Sequence, residues 1–184
     1  MELTSEVVER AIREGYEVSW DSALFSETFR EPIRSRGCMT SHELQAVGRW
    51  KAVRATGRMK KASDADVRLV TAAAFSQSDP GLANWTLRYL SGVGAPMASA
   101  VLTVFDDARY TVIDVRAMAT LRSIDLASLG MAGPDWLKMK YASESSSIYG
   151  EYVALCQQLA QKMGVSLRDL DRALWALNGS AAVV

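Results

Sequence analysis

The sequence predicts an all-α fold, with one helical domain over residues 1–184. Three observations predict it. Apolar residues recur three and four apart along most of the chain, and no stretch alternates apolar and polar residues over a strand's length. Only four prolines interrupt 184 residues. Most of the periodic segments begin with Ser, Thr or Asp, where a helix needs an N-cap.

Taken in order, Thr4 or Ser5 caps a first helix to about Glu14, and Gly15 punctuates it. Residues 17–30 carry Trp20, Leu24, Phe25 and Phe29, a spacing that suits a second helix or a loop packed by aromatics. Pro32 to Gly37 reads as a connection with Arg34 and Arg36 exposed. Thr40 or Ser41 opens the next helix, with Glu43 placed for a capping box, and it runs through Leu44, Val47 and Trp50 to near Gly57. Ser63 caps a helix whose first turn holds Asp64 and Asp66, where carboxylates meet the positive dipole end; Val67, Val70 and Ala74 share a face.

Asp79-Pro80-Gly81 reads as a turn, and Leu82 to Leu90 as a short helix with Trp85 and Tyr89. Ser91-Gly92-Val93-Gly94 breaks it. Ala95 to Phe105 resumes helix with Met97, Ala98, Val101, Leu102 and Phe105 as the buried stripe. An irregular stretch follows, and Asp114 caps a helix to about Leu121. Gly133-Pro134 sets off the C-terminal third. There, Ile148, Tyr152, Leu155 and Leu159 fall on one face, and Gly164 suits a helix C-terminus. Ser166 caps a last helix with Leu167, Leu170, Leu174 and Leu177 on one face, ended by Asn178-Gly179 and a loose tail.

Composition excludes several classes of function. The 21 basic and 21 acidic residues cancel, which rules out a histone-like coat and an acidic tail but leaves room for a local basic patch. Two cysteines, Cys38 and Cys156, exclude a disulfide framework and a four-cysteine zinc or iron–sulfur site within one chain. A single histidine, His42, excludes two-His metal sites. Cys38 and His42 stand four apart near a helix start; with no third ligand in view a structural role is expected, and no metal. No apolar run approaches the ~18–20 residues that cross a bilayer. The start Met1-Glu2-Leu3-Thr4-Ser5-Glu6 has neither a basic nor an apolar leader region, so a cytoplasmic protein away from membranes is expected.

The informative stretch is Leu90-Ser91-Gly92-Val93-Gly94-Ala95-Pro96-Met97-Ala98. It is a helix, a tight two-glycine hairpin and a second helix. Glycine permits positive φ and close backbone approach, and the second helix aims its free N–H groups at the hairpin, which makes an anion site suited to a phosphate. An ordinary corner between two helices fits the same residues.

Leu-x-Gly-Val-Gly followed by a helix of small residues resembles the hairpin of the helix-hairpin-helix DNA glycosylases, the endonuclease III and adenine-glycosylase superfamily. In that family an essential Asp follows the hairpin at the start of the next helix. Val112-Ile113-Asp114-Val115-Arg116-Ala117 occupies that place without a gap. The resemblance covers residues 87–122, the hairpin and the helix after Asp114. It implies two helical halves around a cleft, double-stranded DNA as partner, and Asp114 as the catalytic carboxylate. It also implies a hairpin at Gly92, Val93, Gly94 and Ala95 that grips a phosphate, with a monovalent cation bridging to backbone carbonyls.

This chain departs from the family's pattern in several places. Pro96 stands where strand-cleaving members carry a lysine, so a monofunctional enzyme without lyase activity is expected. The Gly/Pro-rich loop before the Asp is replaced by Asp106-Asp107-Ala108-Arg109-Tyr110-Thr111, and Arg116, a further DNA-binding candidate, stands where a His often follows. The iron–sulfur cysteines are missing.

A carboxylate beside the deoxyribose would stabilise the positive charge that builds as an N-glycosidic bond breaks, and would orient the attacking water. The target base must first leave the stack. Asp is also a favoured N-cap, which needs no catalysis to explain it.

Between Glu43 and Asp64 lie Arg49, Lys51, Arg54, Arg58, Lys60 and Lys61 with no acid among them. This run could contact phosphates and Trp50 within it could stack on a base, although a solvated helix end reads the same way. Trp20, Trp85, Trp136 and Trp175 are expected in the core. Tyr149 and Tyr152 lie on a helix that could face a cleft. A base-excision DNA glycosylase is the leading expectation. A non-catalytic nucleic-acid-binding module and a helical protein-interaction domain are the alternatives.

Overall fold

A computed structural model describes residues 1–139 and 146–180, apart from the side chains of residues 20, 146, 147 and 178–180. The described residues hold α-helices and short 3-10 turns and no strand. The α-helices are α1 (Ser5–Gly15), α2 (Glu27–Arg36), α3 (Ser41–Ala52), α4 (Thr56–Met59) and α5 (Asp64–Phe75), then α6 (Pro80–Leu87), α7 (Ala95–Phe105), α8 (Val115–Ser123), α9 (Ser146–Met163) and α10 (Leu167–Ser180).

The caps sit where the side chains demand. Thr4, Ser26, Thr40, Ser63, Asp79 and Asp114 each accept a hydrogen bond from a first-turn N–H. Thr40 and Glu43 close a full capping box. Helix α7 is mostly apolar and is buried on every side from Met97 to Val104, which makes it a central helix. It packs against α2, α3, α6 and α9, while α10 packs against α1, α8 and α9. The buried apolar side chains form one cluster, with Tyr110, Tyr149 and Tyr152 the largest of its fully buried side chains. No helix among the described residues is long and apolar enough to cross a membrane.

The structure corrects the sequence reading in several places. The stretch from Pro32 to Arg36 is the second half of α2, with Pro32 inside the helix and Gly37 its left-handed C-cap. The buried Arg30 and Ile33 carry the helix past it, and Arg30 grips Asp107 with both guanidinium nitrogens at 3.1 and 2.5 Å. Arg34 and Arg36 are exposed, but paired with Glu27 and Glu43. Helix α3 stops at Ala52, which turns extended, and the chain continues as a 3-10 turn and α4. Asp79-Pro80-Gly81 is the cap and first turn of α6, because proline is tolerated where its missing N–H would be unbonded anyway. Trp136 is in the core, but Trp85 is half exposed. Asn178-Gly179 falls within α10, which runs to Ser180. The side chain of Trp20, most of the polar patch Ser143 to Ser147 and the tail after Ser180 lie outside the described residues.

Candidate functional site at Asp114

Asp114 is placed by the short extended segment before it. Ile113 N–H donates to Ser99 Oγ of α7 (3.1 Å). The Tyr149 and Tyr152 hydroxyls, both on α9, donate to the carbonyls of Thr111 (3.0 Å) and Val112 (2.9 Å). Val112 N–H bonds to the carboxylate of Asp171 on α10. Burial holds both phenols well above their ordinary value, so they stay protonated donors. Three helices therefore set the height and orientation of Asp114. Tyr152→Phe should leave the buried Val112 carbonyl unpaired and cost about 1–3 kcal/mol. At about 2–4 °C per kcal/mol in a chain of this size, thermal unfolding should register it.

Both oxygens of Asp114 are engaged. Oδ1 accepts from the N–H groups of Arg116 (2.9 Å) and Ala117 (3.0 Å), which caps α8. Oδ2 accepts from the Lys51 ammonium of α3 at 2.7 Å. Each partner of this ion pair keeps only 15% of its side chain exposed.

The pair lies on the wall of a cavity of about 260 Å³ between α3 and the α8–α10 pair. Trp50, Tyr16 and Trp175 supply aromatic walls, with Val112 and Ala117 beside Asp114. The far wall is the i, i+3, i+4, i+7 face of α10: Arg168, Asp171, Arg172 and Trp175. Behind it a buried network ties α10 to the turn after α1. Arg168 hydrogen-bonds both Asp21 and Asp171. Arg172 reaches Asp21 at 3.2 Å, and the Tyr16 hydroxyl donates to Asp21 at 2.9 Å. Burial pushes the Asp171 carboxyl above the ordinary carboxylate range; Arg168 and Lys51 pull it down and Asp114 pushes it further up.

The glycine turn between α6 and α7 closes with Val93 N–H donating to Leu90 C=O at 3.1 Å. Gly92 has φ +81, and a Cβ there would meet Arg58 Cβ at 2.9 Å, Met59 N at 3.0 Å and Ala55 O at 3.1 Å. Glycine is thus required twice, by the backbone angle and by the close approach of the α4 segment. Gly92→Ala should cost about 1–3 kcal/mol, read by urea unfolding; a change below about 0.5 kcal/mol would contradict the close packing. Gly94 differs: it is the extended, exposed N-cap of α7, with φ −90 and no side-chain cap.

The candidate residues from the sequence thus divide. The hairpin and the basic run meet, since Gly92 rests on Ala55–Met59. Arg49, Arg54, Arg58 and Lys60 are exposed and have no acidic partner among the described residues. Lys51 departs from them: it faces Asp114 inside the cavity and not open solvent. Arg116 lies with its guanidinium 4.0 Å over the Trp175 ring. Val93 and Ala95 are buried, so the turn offers outward only Ser91, Gly94 and backbone. Tyr149 and Tyr152 face the core and not a cleft. His42 is exposed, and no group of three or more His, Cys, Asp and Glu among the described residues could hold a metal ion.

Sequence reasoning missed Tyr16, Asp21, Arg168, Asp171 and Arg172. The signal was present on α10, where two arginines, an aspartate and a tryptophan share the face opposite the leucines. A polar helix face ordinarily points to water, so spacing alone does not mark it as a pocket wall. Comparison of the chain with family models, curated proteins and solved structures gave no match.

Proposed function

We propose that the protein is a DNA-binding, monofunctional DNA glycosylase of helix-hairpin-helix type, with two helical halves around a cleft, which hydrolyses the N-glycosidic bond of a base flipped out of duplex DNA. One observation carries this reading. The aspartate that its register after the hairpin singles out lies on the wall of an aromatic cavity of about 260 Å³. That volume is just under the ~300–1,000 Å³ of sites for drug-sized ligands, and it suits a single planar base. Trp50 and Tyr16 offer flat apolar surface for such a base.

In this reading the unpaired cations at 49, 54, 58 and 60 neutralise backbone phosphates, and the exposed N-terminus of α7 beside Gly94 takes another. A monovalent cation at the hairpin would draw on the Ser91 and Gly92 carbonyls, which accept no backbone hydrogen bond among the described residues. It would offset phosphate charge there. Asp114 would stabilise the sugar as positive charge builds and hold the attacking water. Lys51 keeps Oδ2 fixed, and an arriving phosphate would compete with Asp114 for it. A non-catalytic duplex-binding module is the second reading. It is favoured by Asp114 being fully satisfied as a helix cap and ion-pair partner.

The test is single-turnover incubation with duplexes carrying altered bases, followed by alkali to reveal abasic sites. Base release by the wild type supports the glycosylase. Salt-sensitive duplex binding without release favours the second reading. Strand breakage before alkali would overturn the monofunctional assignment, and Lys51 is the amine beside Asp114. Changing Arg54, Arg58 and Lys60 together to Gln should flatten the slope of log affinity against log salt by about 0.9 for each phosphate that the variant no longer neutralises. An unchanged slope would remove this face from the DNA surface.

A further inference from the structure

The walls of the cavity also carry information about which bases fit it, an inference that rests on the glycosylase reading. Each of its three aromatic rings already has a guanidinium close by. Arg116 lies 4.0 Å over Trp175, Arg172 lies 5.6 Å from the centre of Tyr16, and Arg168 lies 5.7 Å from the centre of Trp50. A cation is drawn to an aromatic face within about 6 Å, so the attraction that would hold a positively charged base is already used by the protein's own arginines.

Charge along the walls points the same way. Lys51, Arg168 and Arg172 are three cations; Asp114 and Asp171 are the two acids. Both acids are occupied, Asp114 by Lys51 and two backbone N–H groups, Asp171 by Arg168 and Val112 N–H. Donors, in contrast, are spare. A lysine ammonium has three N–H donors, and Lys51 directs one to Asp114. Arg172 gives one of its five to Asp21 and stands 3.6 Å from Asp169. Lys and Arg donors recognise carbonyl oxygens on base edges.

We propose that this pocket selects neutral bases bearing ring carbonyl oxygens, the oxo-purine and pyrimidine-dione class, and rejects bases that carry a positive charge, such as ring-alkylated purines. The Lys51 and Arg172 donors read the carbonyl oxygens, and the arginines on the aromatic walls repel a cation.

The experiment has two arms. In the first, single-turnover release is compared for duplexes containing uracil, hypoxanthine or oxidised guanine and for duplexes containing guanine methylated to a cation on its ring. Measured as acceleration over spontaneous loss of the same base from the same duplex, release of the neutral oxo bases should be enhanced at least about tenfold more, the order of effect of one unit charge near partly screened cations. Equal or greater acceleration for the methylated base overturns the selectivity and leaves the glycosylase reading standing. The second arm needs no turnover. Quenching of tryptophan emission is titrated with free hypoxanthine or uracil and with the planar cation 1-methylnicotinamide. Saturable quenching by the neutral bases and at least about tenfold weaker binding of the cation support the proposal. Preference for the cation, or no saturable binding of either neutral base, overturns it. Selective binding with no release from any duplex counts against the glycosylase reading alone. Arg116→Gln, a half-buried position outside the buried network, should narrow the discrimination severalfold, and unchanged discrimination overturns the role given to the arginines.

Discussion

Replacing Arg168 with alanine should remove about 3–5 kcal/mol of folding stability, a large part of the roughly 5–15 kcal/mol that holds a domain together. Arg168 is 7% exposed and sits between Asp21 and Asp171, which are 0% and 4% exposed. Without it, Asp21 keeps Arg172 and the Tyr16 hydroxyl, but Asp171 keeps only the Val112 N–H and the more distant charge of Lys51. The cost is the penalty of a buried carboxylate left unpaired, not the net worth of the ion pair. Thermal unfolding should fall by roughly 6–20 °C.

The effect depends on pH, and its sign follows from Asp171. Burial raises its carboxyl in the folded state. The folded protein therefore keeps a proton that the unfolded chain has already released, and stability falls as pH rises through that window. Removing Arg168 takes away a group that pulled the carboxyl down, so the window extends upward. The loss in Arg168→Ala should thus be larger at about pH 7 than at about pH 5. Urea unfolding at the two pH values measures it. A loss below about 1 kcal/mol, or the same loss at both, would mean that this network does not anchor α10.

On the proposed glycosylase reading, Asp114→Asn should lower single-turnover base release by about 100- to 10,000-fold while leaving the fold and duplex affinity nearly intact. Asparagine caps a helix as well as aspartate does, and its amide oxygen can take the Arg116 and Ala117 N–H bonds. What disappears is the negative charge facing the cavity, together with the ion pair to Lys51. Stability should change by less than about 2 kcal/mol, so the variant separates chemistry from folding. Release at the wild-type rate would remove Asp114 from the mechanism. Loss of release together with collapse of the fold would show that its ion pair is mainly structural.

Parts of this fold are legible in the amino-acid sequence. Helix starts at Ser5, Ser41, Asp64 and Val115 follow from Thr4, Thr40, Ser63 and Asp114, because a cap bonds to N–H groups two or three residues away. The apolar run of α7 announces a buried helix for the same local reason. Asp114 emerges from its register after the hairpin. Pro32 misleads because its helix-breaking cost is local, whereas the burial of Arg30 and Ile33 that outweighs it depends on distant partners such as Asp107. Trp85 misleads because side-chain type does not say which face a neighbour leaves bare.

Chain chemistry alone settled the all-helical character and most of the caps, since each depends on residues within a turn or two of one another; the resemblance over residues 87–122 pointed to Gly92 and Asp114 as candidates. Tertiary structure alone decided that Lys51 lies 2.7 Å from Asp114 across 63 positions of chain, and that Arg168 reaches Asp21 across 147. It also decided that the polar face of α10 lines a cavity and not the surface. A charged side chain looks the same in a sequence whether water or another charge solvates it. Only the packing of α3, α8 and α10 around one space determines which.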